Sequence, residues 1–491
     1  MRRISLFAIL VSCITSTYAY DFQVGDFYYR ILGEEKESVE IVPCGKDSVY
    51  AHLKVVNIPD HVSFDDAEYL VTSIGDTAFS YCHSITEVIL PSSLTRIGKL
   101  AFNHCIGLTQ VSIPSGVTYI GENAFNNCAG LEFVTWNAMD CSAPQREDGG
   151  VSPAFWGAAN ISSFVFGDSV KTIPVGLCYG LANISEFEFP AAITSIGDYA
   201  FCGCNRLSAI TIPRSVQYMG KNVFGNCAGL TKVIWEAKDC TVPCSGENDS
   251  PVFSPIFLND STIQSFTFGD SVQTIPMGLC YALANIRDIQ LPLSLRRIGY
   301  KAFYGVGIKS LTLPLNIESI GNEAFERCDS LQVVEWNTKR LDSVAYESLW
   351  SWENRIFGYN APVRQIIFGD SVQTIPQQSC SALPALESVV FKGNILHIGN
   401  NAFELCSLLS DVVLPESLQS LGAYAFSSTG LKEITIPAQC KQIGEGVFFE
   451  CNELRRCYFE GIDSVRDLNV YWFARCRDLQ IILSDGTVIP W

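Results

Sequence analysis

Apolar residues fall on a fixed grid along this chain. The phrase I-G-x-x-A-F occupies residues 74–79, 97–102, 120–125, 196–201, 298–303, 320–325 and 398–403, with variants at 219–224, 421–426 and 443–448. Between neighbours the step is 22 or 23 residues, so the pattern is a repeat and not a set of isolated motifs. A second phrase, L-x-x-V-x-I-P, lies between them, as at 108–114, 207–213 and 431–437. Its alternation of apolar and polar positions predicts a short strand with one buried face. The closing proline has no N–H to donate and stops the ladder. The I-G-x-x-A-F half predicts a turn followed by a short helical or 3₁₀ segment, with glycine punctuating its start.

Three steps look too long, at 53, 56 and 55 residues, and each resolves in the same way. The segments 166–174, 268–276 and 368–376 all read F-G-D-S-V-[KQ]-T-I-P, which puts Ile173, Ile275 and Ile375 in the isoleucine slot. Cys178, Cys280 and Cys380 then stand in the phenylalanine slot, and Phe155, Phe257 and Phe357 supply a degenerate copy 23 residues earlier. The array is therefore continuous, about 17 copies from Phe79 to Phe473, with insertions of roughly 7, 10 and 9 residues. Ile97, Ile196, Ile298 and Ile398 head blocks 99, 102 and 100 residues apart, a super-period of four copies. No copy can bury its own Leu, Val, Ile and Phe, whereas stacked copies make a continuous core.

The I-G-x-x-A-F-x-x-C and L-x-x-V-x-I-P unit resembles the BspA-type leucine-rich repeat family over nearly the whole chain after its first residues. That resemblance implies a curved, right-handed solenoid, with short strands on the concave side and turns with short helical or 3₁₀ segments on the convex side. It also implies display on, or release from, the surface of an anaerobic bacterium or a mucosal protist, and an adhesin-like role toward host proteins. Residues 20–32 and 38–44 are similar to the β-rich leader that precedes such arrays. The expected organisation is a signal peptide at 1–19, a β-rich N-terminal cap at 20–56 and repeats over 57–491, with insertions near 137–153, 236–255 and 337–354.

The expected signal peptide has its own pattern. Arg2 and Arg3 precede an apolar run from Ile4 to Ile14, and Thr17 and Ala19 supply small residues for cleavage after Ala19. The alternative is a lipoprotein signal with Cys13 as the modified residue. No later run approaches the roughly 20 apolar residues of a membrane-spanning helix. Formal charge is −18, which repels a phosphate backbone and argues against nucleic acid as a partner.

Twenty cysteines in an exported chain would suggest disulfides, but their spacing predicts otherwise. Cys82, Cys105, Cys128, Cys204, Cys227, Cys328, Cys406, Cys451 and Cys476 each follow a phenylalanine by three residues. Cysteines in register with the apolar grid behave as small buried hydrophobes. Cys240 and Cys244, in a loop with Cys141 at the matching place one block earlier, are the disulfide candidates.

No H-E-x-x-H, G-x-S-x-G or phosphate-binding loop occurs, so no catalytic residue, metal site or cofactor is expected. His83 and His104 flank Cys82 and Cys105, a pairing better read as polar turn residues beside buried thiols. The expected binding surface is the concave strand face, where Glu186, Glu188, Asp288, Gln290, Ser310, Thr312 and Glu335 point outward between buried neighbours. Ile89, Phe133, Ile234, Val333 and Ile367 are interspersed with them. The third insertion adds Tyr346, Trp350 and Trp352, with Tyr359 close by, a mix typical of interaction hot spots. Ser169, Ser271 and Ser371 follow Asp in D-S-V, which resembles an O-glycosylation triplet of exported proteins in bacteria that carry this family and equally suits a tight turn. The expected partner is a protein ligand such as a host extracellular matrix component; a glycan-binding role in nutrient capture is the alternative.

Overall fold

A computed structural model describes residues 20–33, 37–43, 49–144, 150–245, 252–253, 255–339, 341, 343–345 and 355–491. The contacts divide into two units, residues 1–170 with 174–181, and residues 171–173 with 182–491.

In the first unit, Phe22–Val24, Phe27–Leu32 and Ser38–Ile41 form an antiparallel meander. Its last strand pairs in parallel with Ala67–Ile74, which also forms a hairpin with His61–Phe64. The same sheet continues through Arg96–Ile97 and Tyr119–Ile120, so the N-terminal meander closes the end of the repeat ladder by joining it. The second sheet is wholly parallel: Val55–Asn57, Glu87–Ile89, Gln110–Ile113, Phe133–Trp136 and Ser163–Phe166. Its register equates Val111, Val134 and Phe164, and likewise Ile113, Trp136 and Phe166. Those positions are buried, and the ones between face outward, as period-two alternation requires.

In the second unit the two-residue strands around the I-G phrase again form ladders, such as Thr274–Ile275 with Arg297–Ile298 and Ser319–Gly321. The longer strands fall into three separate sheets. Ala209–Ile212, Lys232–Trp235 and Ser265–Phe268 make one; Ser310–Leu313, Val333–Trp336, Gln365–Phe368 and Ser388–Phe391 make another. Glu433–Ile436, Arg456–Phe459 and Gln480–Ile482 make the third, closed by the antiparallel Val488–Pro490. Segments 186–189, 288–291 and 411–414, which carry the strand phrase, make no ladder. In the second insertion Cys244–Ser245 and Val252–Phe253 form a small hairpin.

The turn side departs from the helical expectation. 3₁₀ turns occur only at Val465–Asp467 and Val470–Phe473 among the described residues. Elsewhere most copies make two successive turns with one left-handed residue in each, such as Leu100 and His104, or Asn123 and Asn127. A left-handed residue interrupts any helical run, and it lets alternate N–H groups point along the stack. Thr77, Phe79 and Tyr81 donate to the carbonyls of Lys99, Ala101 and Asn103 in the next copy at 2.7–2.8 Å. The glycine of the I-G phrase is also needed for a different reason than the one expected. Its φ is ordinary, but a Cβ on Gly121 would stand 2.4 Å from the Lys99 backbone nitrogen. Close stacking of neighbouring copies excludes a side chain there.

The core is a stack of rings. Phe79, Phe102, Phe125 and Phe155 stack at 5.0–5.1 Å in the first unit. In the second unit, Phe201, Phe224 and Phe257 do so at 5.4 and 5.6 Å. At Cys280 the ring is missing, and the aromatic path detours through the strand: Phe257 meets Phe266 at 5.9 Å, Phe266 meets Phe268 at 5.1 Å, and Phe268 meets Phe303 at 6.2 Å. The recurring F-G-D-S-V-x-T-I-P phrase thus carries a large strand residue that fills the space beside a small turn residue. Phe368 does the same toward Phe403 at 6.3 Å.

The in-register cysteines are buried, as the spacing predicts, except Cys476, which is half-buried, and they do one thing more. Most of these thiols donate to a carbonyl one copy back, as Cys105 does to Phe79 at 3.2 Å, Cys128 to Phe102 at 3.1 Å and Cys227 to Phe201 at 3.2 Å. A slot that requires a small apolar body and one weak donor suits cysteine.

Candidate strand-face interaction surface

The outward residues of the parallel strands line shallow grooves, and one in the first unit has a volume of 680 Å³. Its walls are Glu87, Ile89, Gln110, Ser112, Phe133 and Thr135, with Asn137 and Asp168 at the turn edge. Phe133 sits between Gln110 and Ser163 in the register and is 52% exposed. With Ile89 and Val165, also exposed on this sheet, the ring forms an apolar patch inside a polar surround.

In the second unit two grooves coincide with the interruptions of the ladder. One, of 860 Å³, runs between 186–189 and the strands Ala209–Ile212 and Lys232–Trp235. The other, of 450 Å³, lies between Ser265–Phe268 and the residues Arg287, Asp288 and Gln290. Paired strands sit about 4.8 Å apart and leave no room between them. These two grooves lie where backbone bonds are absent, whereas the groove of the first unit lies over paired strands.

The residues expected on this face are outward-facing. Glu186, Glu188, Asp288, Gln290, Ser310 and Thr312 are exposed and Glu335 is half-buried. The structure brings Glu186 and Glu188 into the larger groove and Asp288 and Gln290 into the smaller one. Thr312 and Glu335 neighbour each other, Oγ1 donating to Oε2 at 3.5 Å, and Glu335 also pairs with Lys392 at 3.8 Å. Tyr359 is exposed, but one face of its ring is covered by the Arg355 guanidinium at 3.5 Å. Tyr346, Trp350 and Trp352 lie outside the described residues. So does the Cys244 side chain, and with it the pairing with Cys240. Cys240 itself is buried, and burial pushes its thiol up to about 12.

Ser169, Ser271 and Ser371 occupy turn tips. Val170, Val272 and Val372 each donate to the carbonyl of the glycine three residues back at 3.1 Å, closing a tight turn with Asp and Ser at its corners. Ser169 and Ser371 are exposed and Ser271 is half-buried.

Sequence reading missed Phe187 and Phe189. They stand where other copies have Val and Ile, are half-buried, and pack on Phe201 at 4.5 and 5.5 Å while lining the larger groove. The E-F-E-F alternation at 186–189 was the available signal. Asp260 was also missed. It occupies the cysteine slot after Phe257, is 1% exposed, and accepts from the Cys227 N–H at 2.6 Å through Oδ1, while Oδ2 has no partner. Burial raises its carboxyl to about 7.

No group of three or more His, Cys, Asp or Glu is arranged to hold a metal among the described residues. His104 stacks on Tyr81 at 4.7 Å and bonds to Asn103 at 2.9 Å, the polar-turn role. Nor is any helix there long and apolar enough to cross a membrane.

Comparison with known proteins agrees with this architecture. The BspA type leucine-rich repeat region matches residues 56–141, 151–242, 253–378 and 350–480, in 6 copies. A leucine-rich repeat protein from Bacteroides ovatus is 23% identical, with 94% of this chain and 100% of that one covered and a TM-score of 0.51. A leucine-rich cell surface protein from Faecalibacterium prausnitzii is 19% identical over 96% of each chain, with a TM-score of 0.29. The pneumococcal vaccine antigen PcpA is 14% identical over 94% of this chain and 93% of its own, with a TM-score of 0.29. No curated protein matches. The fold is a leucine-rich repeat solenoid of the kind that serves protein interaction, and the chain belongs to the BspA-type leucine-rich repeat family.

Proposed function

We propose that this is an exported, non-enzymatic repeat protein that binds another protein, in an adhesive role, through the outward faces of its strands. The observation that supports this best is Phe133, a half-exposed ring in a groove with a polar rim of Glu87, Gln110 and Ser112. An aromatic anchor within polar surroundings is the usual composition of an interaction hot spot. A ladder also holds those side chains rigidly, which lowers the entropy lost on binding. Export fits the apolar run at 4–14 and the family's usual place at or beyond the cell surface.

The test presents the full chain, at physiological salt, to an array of extracellular matrix proteins and glycans, with Phe133→Ala alongside. A protein hit that weakens at least tenfold in the variant supports the proposal. Glycan hits alone would favour the nutrient-capture alternative, for which the Trp156 and Tyr179 pair, stacked at 5.6 Å with Trp156 half-exposed, is the stacking platform at hand.

A further inference from the structure

The larger groove of the second unit has a chemistry of its own. Its floor is apolar: Phe187, Phe189, Ile234 and the exposed Ala209, whose small side chain leaves the hollow between Glu186 and Lys232. Its rim is acidic, with Glu186, Glu188 and Glu236 all exposed, and Lys232 is the one cation among the lining residues. Several other acidic residues near the strands of this unit are matched within the chain. Glu335 meets Lys392 at 3.8 Å, Glu387 meets Arg364 at 2.6 Å, and Glu433 meets Arg456 at 3.5 Å. Glu186, Glu188 and Glu236 make no such pair among the described residues. The ladder interruption at 186–189 keeps the floor open, because Ala209–Ile212 pairs only with Lys232–Trp235.

We infer that this groove docks an extended, basic segment of a partner protein, with lysine or arginine side chains on the three glutamates and an apolar residue against Phe187 and Phe189. The inference rests on the protein-binding reading above and names the chemistry of the ligand. Three adjacent strand positions span roughly 10 Å, the reach of about three extended residues. Alternation then presents apolar and basic side chains to floor and rim. Unpaired carboxylates facing a cationic segment steer its approach and fix its register more than they add affinity.

The experiment titrates the full chain with a ten-residue peptide alternating lysine and leucine, at two salt concentrations, with a glutamate–leucine peptide of the same length as control. The triple variant Glu186→Gln, Glu188→Gln and Glu236→Gln changes exposed positions only, and Glu87→Gln and Phe133→Ala probe the first unit's groove. The expected result is binding of the lysine peptide alone, weakened by salt and at least tenfold by the triple variant, and unchanged in Glu87→Gln and Phe133→Ala. Unchanged binding in the triple variant overturns the inference, as does no binding of the lysine peptide at all. Loss in Phe133→Ala but not in the triple variant also overturns it, while leaving the protein-binding reading standing. Failure of that broader reading would show separately, as an array with no protein hit.

Discussion

At the scale of single residues, the cysteine slot shows how one position can satisfy packing and polarity together. A thiol fits beside the phenylalanine stack and donates its proton to the carbonyl behind it, so it has no reason to ionise. Burial likewise holds Cys141 and Cys380, which lie outside that slot, at about 12, far from the thiolate form that reacts. The native protein should therefore leave these thiols unmodified by a disulfide-exchange reagent at pH 8. The same reagent in denaturant should release the full thiol colour within minutes; rapid labelling of the folded chain at Cys141 or Cys380, mapped by mass spectrometry, would contradict the burial.

Asp260 is the exception in that slot, and its consequence depends on pH. The folded-state carboxyl titrates near 7 against about 4 in the unfolded chain, because burial disfavours the anion. A raised acid binds more protons when folded, so its contribution is fully present below the unfolded value and is lost as pH rises through 7. Asp260→Asn keeps the acceptor for the Cys227 N–H and removes the charge. We expect it to melt higher than the parent at pH 8, with the gap closing toward pH 4; melting curves across that range provide the check, and a constant gap would rule out titration as the cause.

At the scale of elements, Phe268 and Cys280 form a coupled pair of sizes. Truncating Phe268→Ala should cost about 3–5 kcal/mol, because the detour between Phe266 and Phe303 then contains a cavity. Cys280→Phe alone should cost about 1–3 kcal/mol by overpacking. Combined, the two should be less damaging than their sum by about 0.5–3 kcal/mol, since the new ring occupies the vacated space. Denaturant unfolding of the four proteins measures the coupling, and strict additivity would show that the strand ring does not fill the turn slot. The repeated phrase was legible as architecture from spacing alone. That it compensates volume was not, because the detour of the ring stack through Phe268 to Phe303 forms only once neighbouring copies stack.

At the scale of the molecule, each end of the array has a different closure. The first unit joins its ladder to an antiparallel meander, and the second ends in the hairpin of Gln480–Ile482 with Val488–Pro490, where Trp491 packs on Phe473 at 5.6 Å. An array stabilised by neighbour contacts is weakest where a copy lacks one. Removing residues 484–491 should uncover Phe473 and lower the melting temperature of the second unit. Light scattering should then show self-association, and a monodisperse truncated chain with unchanged melting would mean that the hairpin is not a cap.

The sequence by itself determined the period, the strand phrase, the proline stops, the burial of the cysteines and the outward placement of Glu186, Glu188, Asp288, Gln290, Ser310 and Thr312. These follow from local alternation and from the need of each copy to hide its apolar face against the next. Only the tertiary structure decided what depends on the distance between copies: the glycine with no room for a Cβ, the left-handed turns in place of helical ones, the detour of the aromatic stack, and the segments at 186–189 and 288–291 where the ladder opens into grooves. Periodicity says which side chains face a neighbour, but whether two backbones close to bonding distance is settled by the volumes packed between them.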